Sequence, residues 1–337
     1  FIAAIDLGTS HMVGMVGTKN ATGALSIIAY EVENSGTCIR RGCVYNVKET
    51  ASKIKRLILK LENKLGGAKI GQVYVGLGGQ SLRSIEHTVC KVLGTEGVVT
   101  EEIIDSLYQE CKDYRPDMLT VLDVVSPSYF LDDKPESNPV GVPCSRIEAR
   151  YKLIVGRPSL KLNIVNSISE QAKIEIAGIL VSPLALGDVV LSDNEKDLGC
   201  ALIGFGAGVT TISVYKGGKL ITKDITNLRV VESEAERLKI TYGSAKADRD
   251  NDMTIQVSLA DGMGLREIKL AELNGVIEAR MDEILENVYA RLEATGLMSV
   301  LGAGIVITGG GAALKNLPAV MSERLKMEVR YSAVRKG

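Results

Sequence analysis

The chain has 337 residues, with 40 Lys and Arg against 41 Asp and Glu. At roughly 150 residues per domain this length suggests two domains, or one large body with an insertion, and a hydrophobic share of 45% excludes a disordered chain. A net charge of −1 argues against a general nucleic-acid or acidic-membrane surface, which needs surplus Lys and Arg. With 11 Tyr, 3 Phe and no Trp, few rings are left for stacking on bases or sugars, whereas 35 Gly point to loops where backbone approaches a ligand closely. The six cysteines, at 38, 43, 90, 111, 144 and 200, contain no CxxC pair, and the only histidines are His11 and His87, so no structural zinc site is expected. Reduced thiols in a cytosolic protein, without a leader peptide, are the expectation.

Residues 2–7 form a short apolar run ending in an acid, followed by Gly8-Thr9-Ser10 and a β-like run from Met12 to Val16, which predicts strand, tight turn, strand. A third β-like stretch covers 24–31. Over 49–65, Ile54, Leu57, Ile58, Leu61 and Leu65 recur at helical spacing up to Gly66-Gly67, and a strand follows at 72–77. From about Leu82 the texture changes to a strand at 84–92, a helix at 100–112 and β runs at 119–131 and 147–155. The loop between the last two holds Pro135, Pro139 and Pro143, and the whole reads as an α+β insertion. A helix near 159–172, a strand at 174–181 and a helix opening at Pro183, placed at the first helical position, restore the α/β rhythm.

Leu202 to Gly208, with the β run 211–215, repeats the plan of Ala4 to Ser10 with 12–16, which suggests a duplicated fold. Ser233 and Glu236 fit a capping box, and 251–270 reads as a hairpin with Asp261-Gly262 near its turn. A long amphipathic helix through Ile277, Ile284 and Leu292 ends at Gly296. The strand Ile305 to Thr308 then runs into a third glycine turn, Gly309-Gly310-Gly311, with a helix at 319–326 beyond. The uncharged stretches 198–215 and 294–314 carry too many glycines for membrane helices.

Glycine turns between strands expose successive backbone N–H groups, which form anion-binding concavities. Any one of them is most simply a hairpin turn, but three in this order can clamp a triphosphate between two loops and receive a nucleoside on the third. Asp6 closes a strand just before Gly8, where its carboxylate could hold a hydrated Mg²⁺ or merely cap its own turn. Glu236 and Lys239 share a helical face and could reach a ribose or adenine edge; capping and solvation are the alternatives.

These residues resemble the actin/Hsp70/sugar-kinase superfamily and, within it, the FtsA family of bacterial cell-division proteins. The FtsA resemblance rests on NPVG at 138–141, the 82–158 insertion, AERLKITYGSA at 235–245 and AGIVITGGGAAL at 303–314. It implies an α/β, actin-like (ribonuclease H-like, duplicated) fold with an inserted α+β subdomain 1C. The divisions would be 1–81 and 159–186 for 1A, 82–158 for 1C, 187–232 for 2A, 233–272 for 2B, and 273–337 for 2A with a C-terminal return. It implies ATP or ADP with Mg²⁺, the latter at Asp6. The nucleotide would lie on Asp6, Gly8, Thr9, Ser10 and His11, on Gly206, Ala207, Gly208 and Val209, and on Glu236, Lys239, Gly309, Gly310 and Gly311; no residue is assigned as catalytic.

The implied role is a filament-forming adaptor at the cytoplasmic side of the inner membrane at the septum. It would tether FtsZ, associate with itself and other divisome proteins, and reach the membrane through a C-terminal amphipathic helix outside these residues, with no nucleic-acid partner. The competing reading is a sugar or small-metabolite kinase. His11 stands where the family commonly has Lys, Gly204 where it has an acid and Val209 where it has Thr, so ATP binding with very slow hydrolysis is expected. The chain also looks short for the family between Lys219 and Leu220, where a further strand and loop are expected, and around Arg330-Tyr331.

Overall fold

The structure, a computed structural model, describes residues 1–21, 23–95, 97–227, 233–258 and 265–333; side chains are not described at 126, 221–227, 233–237, 257–258 and 265–266. Strand β1 (Ile2–Leu7) buries Ala3, Ile5 and Leu7, so the period of two turns Asp6 to the opposite face. It pairs antiparallel with β2 (His11–Lys19), which pairs in turn with β3 (Leu25–Asn34). After the two-residue strands β4 (Ile39–Arg40) and β5 (Cys43–Val44), helix α1 (Val47–Lys64) starts where Asn46 accepts a hydrogen bond from the Glu49 N–H at 3.1 Å. It stops at Gly66 and Gly67, both with positive φ. Its buried stripe of Ile54, Leu57, Ile58 and Leu61 lies on the sheet, each side chain stabilising the fold by about 1.5–3 kcal/mol. Strand β6 (Gln72–Leu77) then returns parallel to β1.

The insertion is a sheet of its own, ordered β7-β10-β8-β9 from β7 (Arg83–Val92), β8 (Thr120–Leu131), β9 (Lys134–Glu136) and β10 (Arg146–Gly156). Helix α2 (Glu101–Lys112), capped by Thr100, buries Leu107 and Cys111 in this sheet's separate core. Pro135, expected in a loop, lies in β9, an edge strand, where a missing N–H costs least. The helix expected over 159–172 is two pieces, α3 (Pro158–Val165) and a π-helical turn over Asn166–Ala172 that ends with Lys173 in the left-handed region. Strand β11 (Glu175–Val181) completes the first sheet as β11-β6-β1-β2-β3.

Helix α4 (Ser182–Val190), with Pro183 at its second rather than its first position, and α5 (Asp193–Leu198) lead into the second half. A reciprocal capping box is found at Ser192 and Glu195, while the side chains of the one expected at Ser233 and Glu236 lie outside the described residues. Strands β12 (Cys200–Phe205), β13 (Val209–Lys216) and β14 (Lys219–Asn227) form a meander. Lys219 and Leu220 are consecutive residues of one strand, so β14 itself takes the third-strand position.

Helix α6 (Ser233–Tyr242), the hairpin β15 (Thr254–Ser258) and β16 (Leu265–Lys269), and helix α7 (Leu270–Ala294) follow; the Asp261-Gly262 turn lies outside the described residues. Strand β17 (Ile305–Thr308), helix α8 (Leu317–Leu325) and strand β18 (Val329–Tyr331) close a sheet ordered β14-β13-β12-β17-β18. Strand for strand this is the order of the first sheet, so the repeat read between residues 4 and 16 and residues 202 and 215 is a repeat of topology. Among the described residues no helix is long and apolar enough to cross a membrane.

Candidate functional site

Each half ends its first strand in a glycine turn, and the two turns meet. A Cβ on Gly208 would stand 2.8 Å from both Oγ1 and Cγ2 of Thr9, so only glycine allows this approach. Thr9 is fixed in its turn because its Oγ1 accepts from the Gly42 N–H at 2.9 Å. Gly42, at φ +70°, sits against the backbone of Gly79, and Val209 Cγ2 lies 3.5 Å from where its Cβ would be. The first loop is braced from behind by Ser35, whose Oγ donates to the Gly8 carbonyl at 2.7 Å and whose N–H donates to the Ser10 carbonyl at 3.0 Å. Ser10 Oγ and His11 Nδ1 are 3.0 Å apart at the exposed rim. In the second loop the Gly206 N–H donates to the Val209 carbonyl at 2.9 Å, closing a hairpin turn around Ala207 and Gly208.

Asp6, near the end of β1, stands beside the first loop, its Oδ2 3.8 Å from a Cβ position on Gly8. Ser182 Oγ, at the start of α4, donates to its Oδ1 at 3.5 Å, and a Cβ on Gly76 would stand 2.9 Å from the same oxygen. The residue is exposed by surface area, yet Ser182, Gly76 and Gly8 stand close around its carboxylate. Their desolvation raises its pKa above the ordinary carboxylate value, and the Ser182 hydrogen bond offsets part of that rise.

The third loop lies beside the second. Gly309, at φ +90°, and Gly311 press on Phe205, with 2.5 Å from a Gly309 Cβ position to the Phe205 carbonyl oxygen, while nothing stands within 4 Å of a Cβ on Gly310. The end of α6 is tied to the same region: Asn316 Nδ2 donates to Ser244 Oγ at 3.0 Å, and the Ala245 N–H donates to the Lys315 carbonyl at 2.9 Å. Lys239, half-buried one turn earlier, is thereby held near this loop, and its carbonyl accepts from the Gly243 N–H at 2.9 Å. The Glu236 side chain lies outside the described residues.

In the second half the position equivalent to Asp6 is Gly204, the fifth residue of β12 as Asp6 is the fifth of β1. Asp6 pairs with Val13 and Gly76, and Gly204 pairs with Thr211 and Thr308. Ser35, Gly42, Gly79 and Ser182 escaped the sequence reading. Gly78-Gly79 follows β6 with the same strand-then-glycine signature as the three recognised loops and was the available clue. Ser35 and Ser182 carry no local signal, since each reaches its partner across 27 and 176 residues.

Comparison with known proteins bears on this arrangement. A family model described as "Cell division protein FtsA" matches residues 201–335. A protein of that name from Porphyromonas gingivalis is 39% identical over 337 residues, covering 96% of this chain and 70% of its own length. Among solved structures, the PilM-PilN type IV pilus biogenesis complex is similar with a TM-score of 0.60 at 14% identity, covering 98% of this chain and 87% of that one. MreB5 of Spiroplasma citri bound to ADP gives 0.52 at 14% identity, covering 98% and 91%. The fold is therefore the actin-like one.

Proposed function

Because this chain belongs to the FtsA family of cell division proteins, on an actin-like fold, we propose that its glycine-lined cleft binds ATP or ADP with Mg²⁺ and that nucleotide binding governs a filament-forming adaptor of the divisome. The observation that carries this reading is the contact of Thr9 with Gly208, which brings two strand-turn-strand loops from opposite halves together beside Asp6. Gly8, Thr9, Ser10 and His11 with Gly206, Ala207, Gly208 and Val209 would hold the phosphates through backbone N–H groups. Gly309, Gly310 and Gly311 with Lys239 and Glu236 would take the nucleoside; the open space around Gly310 leaves room for it.

Mg²⁺ keeps most of its waters and takes few protein carboxylates, so a single Asp6 suits it. When bound, the ion would neutralise phosphate charge and order the triphosphate. Asp6 is prepared for that by its desolvation, which makes the carboxylate gain more from a nearby cation than an exposed one would. With Gly204 contributing no acid, binding should outlast hydrolysis.

By family membership the partners would be FtsZ, further copies of this chain and other divisome proteins. The site of action would be the cytoplasmic face of the inner membrane at the septum, reached through an amphipathic segment outside these residues. The subdomain limits at 81, 158, 186, 232 and 272 belong to the same proposal. The test is titration with a fluorescent ATP analogue and Mg²⁺, followed by sedimentation with ATP and with FtsZ. Saturable binding that Gly208→Val abolishes, with ATP-dependent pelleting, is expected. Absence of binding, or ADP release that depends on an added sugar, would overturn the reading.

A further inference from the structure

The two halves place different groups near the end of their first strands, and the difference on the second half is a built one. A Cβ on Gly204 would stand 2.6 Å from Thr211 Oγ1, so the hydroxyl of Thr211 occupies the space that a side chain at 204 would need. The same spot is walled by Leu186 Cδ2 and by the Thr308 methyl, each 3.9 Å away. Leu186 lies one turn along α4 from Ser182, the residue that touches Asp6, so one helix borders both positions. Among the described residues the Thr211 hydroxyl has no hydrogen-bond partner. The hydroxyl is not sealed off, unlike that of the neighbouring Thr210, whose Oγ1 is buried without a partner, so it is open to solvent and to a ligand.

We propose that Thr211 is a ligand of the phosphate end of the nucleotide. Its hydroxyl, seated where the first half would carry a carboxylate, holds the terminal phosphate or the water beside it through neutral hydrogen bonds, and the cleft therefore retains a triphosphate instead of turning it over. This rests on the nucleotide reading above. A hydroxyl donates to phosphate oxygen or accepts from water equally well, but at neutral pH it cannot take a proton from the water, which a carboxylate can. The substitution thus separates holding from hydrolysis at one position.

The test is the release rate of a fluorescent ATP analogue with Mg²⁺, measured by chase with unlabelled ATP on the whole chain. Thr211→Val should release it about tenfold faster, the value of one hydrogen bond to a charged group, with the nucleotide-free melting temperature unchanged. Thr211→Ser should keep the slow rate. An unchanged rate in Thr211→Val, or Ser behaving as Val does, overturns the inference while leaving the nucleotide reading standing. If the unaltered chain does not bind the analogue, both fall.

A second arm asks whether Thr211 excludes an acid. In Gly204→Asp with Thr211→Ala, the new carboxylate would take a proton from water as the water oxygen bonds to the terminal phosphorus and the bond to the bridging oxygen breaks, releasing ADP and phosphate. Phosphate release should rise about a hundredfold over Thr211→Ala alone. Equal turnover in Gly204→Asp with Thr211 intact would show that the hydroxyl does not occupy the carboxylate's place.

Discussion

In the first half, α1 covers its sheet with Ile54, Leu57, Ile58 and Leu61 and reaches the outer strand β3 through ion pairs, Arg56 and Lys60 to Glu33 and Lys64 to Glu31. In the second half, α7 covers the equivalent sheet with Met281, Ile284, Leu285, Val288 and Leu292, packed on Ala201, Ile203, Ile212 and Val214. The strand order is the same in both, and the cleft between them is lined by an acid on one side and by a glycine between two threonines on the other. Strand order follows from apolar alternation and turn position, which many side chains satisfy, so the two halves could diverge in chemistry without losing their common plan.

Substitutions can break this comparison at graded depth. Leu57→Ala should have the largest effect. The side chain is fully buried and also meets β2 where Gly14 leaves room for it, so the loss should be about 2–5 kcal/mol in denaturant unfolding. Leu285→Ala should cost a similar amount, and a much smaller loss there would show that the second half packs more loosely. Next comes the third loop. Gly309→Ala combines a positive φ with a clash on Phe205 and should cost about 1–3 kcal/mol, whereas Gly310→Ala, into open space, should stay within about 0.5 kcal/mol. Equal effects at the two positions would show that the loop does not brace the second.

Glu33→Gln tests the ion pairs between α1 and β3 and should cost less than about 1 kcal/mol, falling further with added salt. The Lys60 hydrogen bond lowers the Glu33 pKa. Its contribution is therefore present above the unfolded value and lost as pH falls through the lower native value, and wild type and variant should converge in acid.

Asp6→Asn should have the smallest effect on stability and an opposite sign. Cleft burial raises the native pKa of Asp6. The native state therefore holds that proton more tightly, and the stability this provides is complete below the unfolded value and lost as pH rises through the raised native one. At neutral pH the empty variant should melt slightly higher than wild type while losing Mg²⁺-dependent nucleotide affinity. A variant that melts lower, with affinity intact, would separate Asp6 from the site.

The element pattern was legible because its causes are local. The apolar periods of 54–61 and 284–292, the alternation in 2–7 and 202–205, and the glycines at 8, 206 and 309 announce helix, strand and turn within a few residues of themselves. The split of the 159–172 helix was not legible. Its π turn buries Ser167, whose Oγ donates to the Asn163 carbonyl at 2.7 Å, and a polar residue there does not disturb the helical pattern.

At the site, Asp6 and the three loops could be named from sequence because glycine after a buried strand has a restricted set of uses. Which loops touch, and what stands beside Asp6 and Gly204, could not. Ser182 meets Asp6 across 176 residues, Thr9 meets Gly208 across the cleft, and the Thr211 hydroxyl fills the space beside Gly204 only because β12 and β13 pair in one register. A one-residue slip would turn Thr211 to the other face and reopen that space. Short-range chemistry thus determined that this chain has two like halves with glycine turns. Long-range packing decided that the turns face one another, that one half supplies a charge, and that the other supplies a hydroxyl in its place.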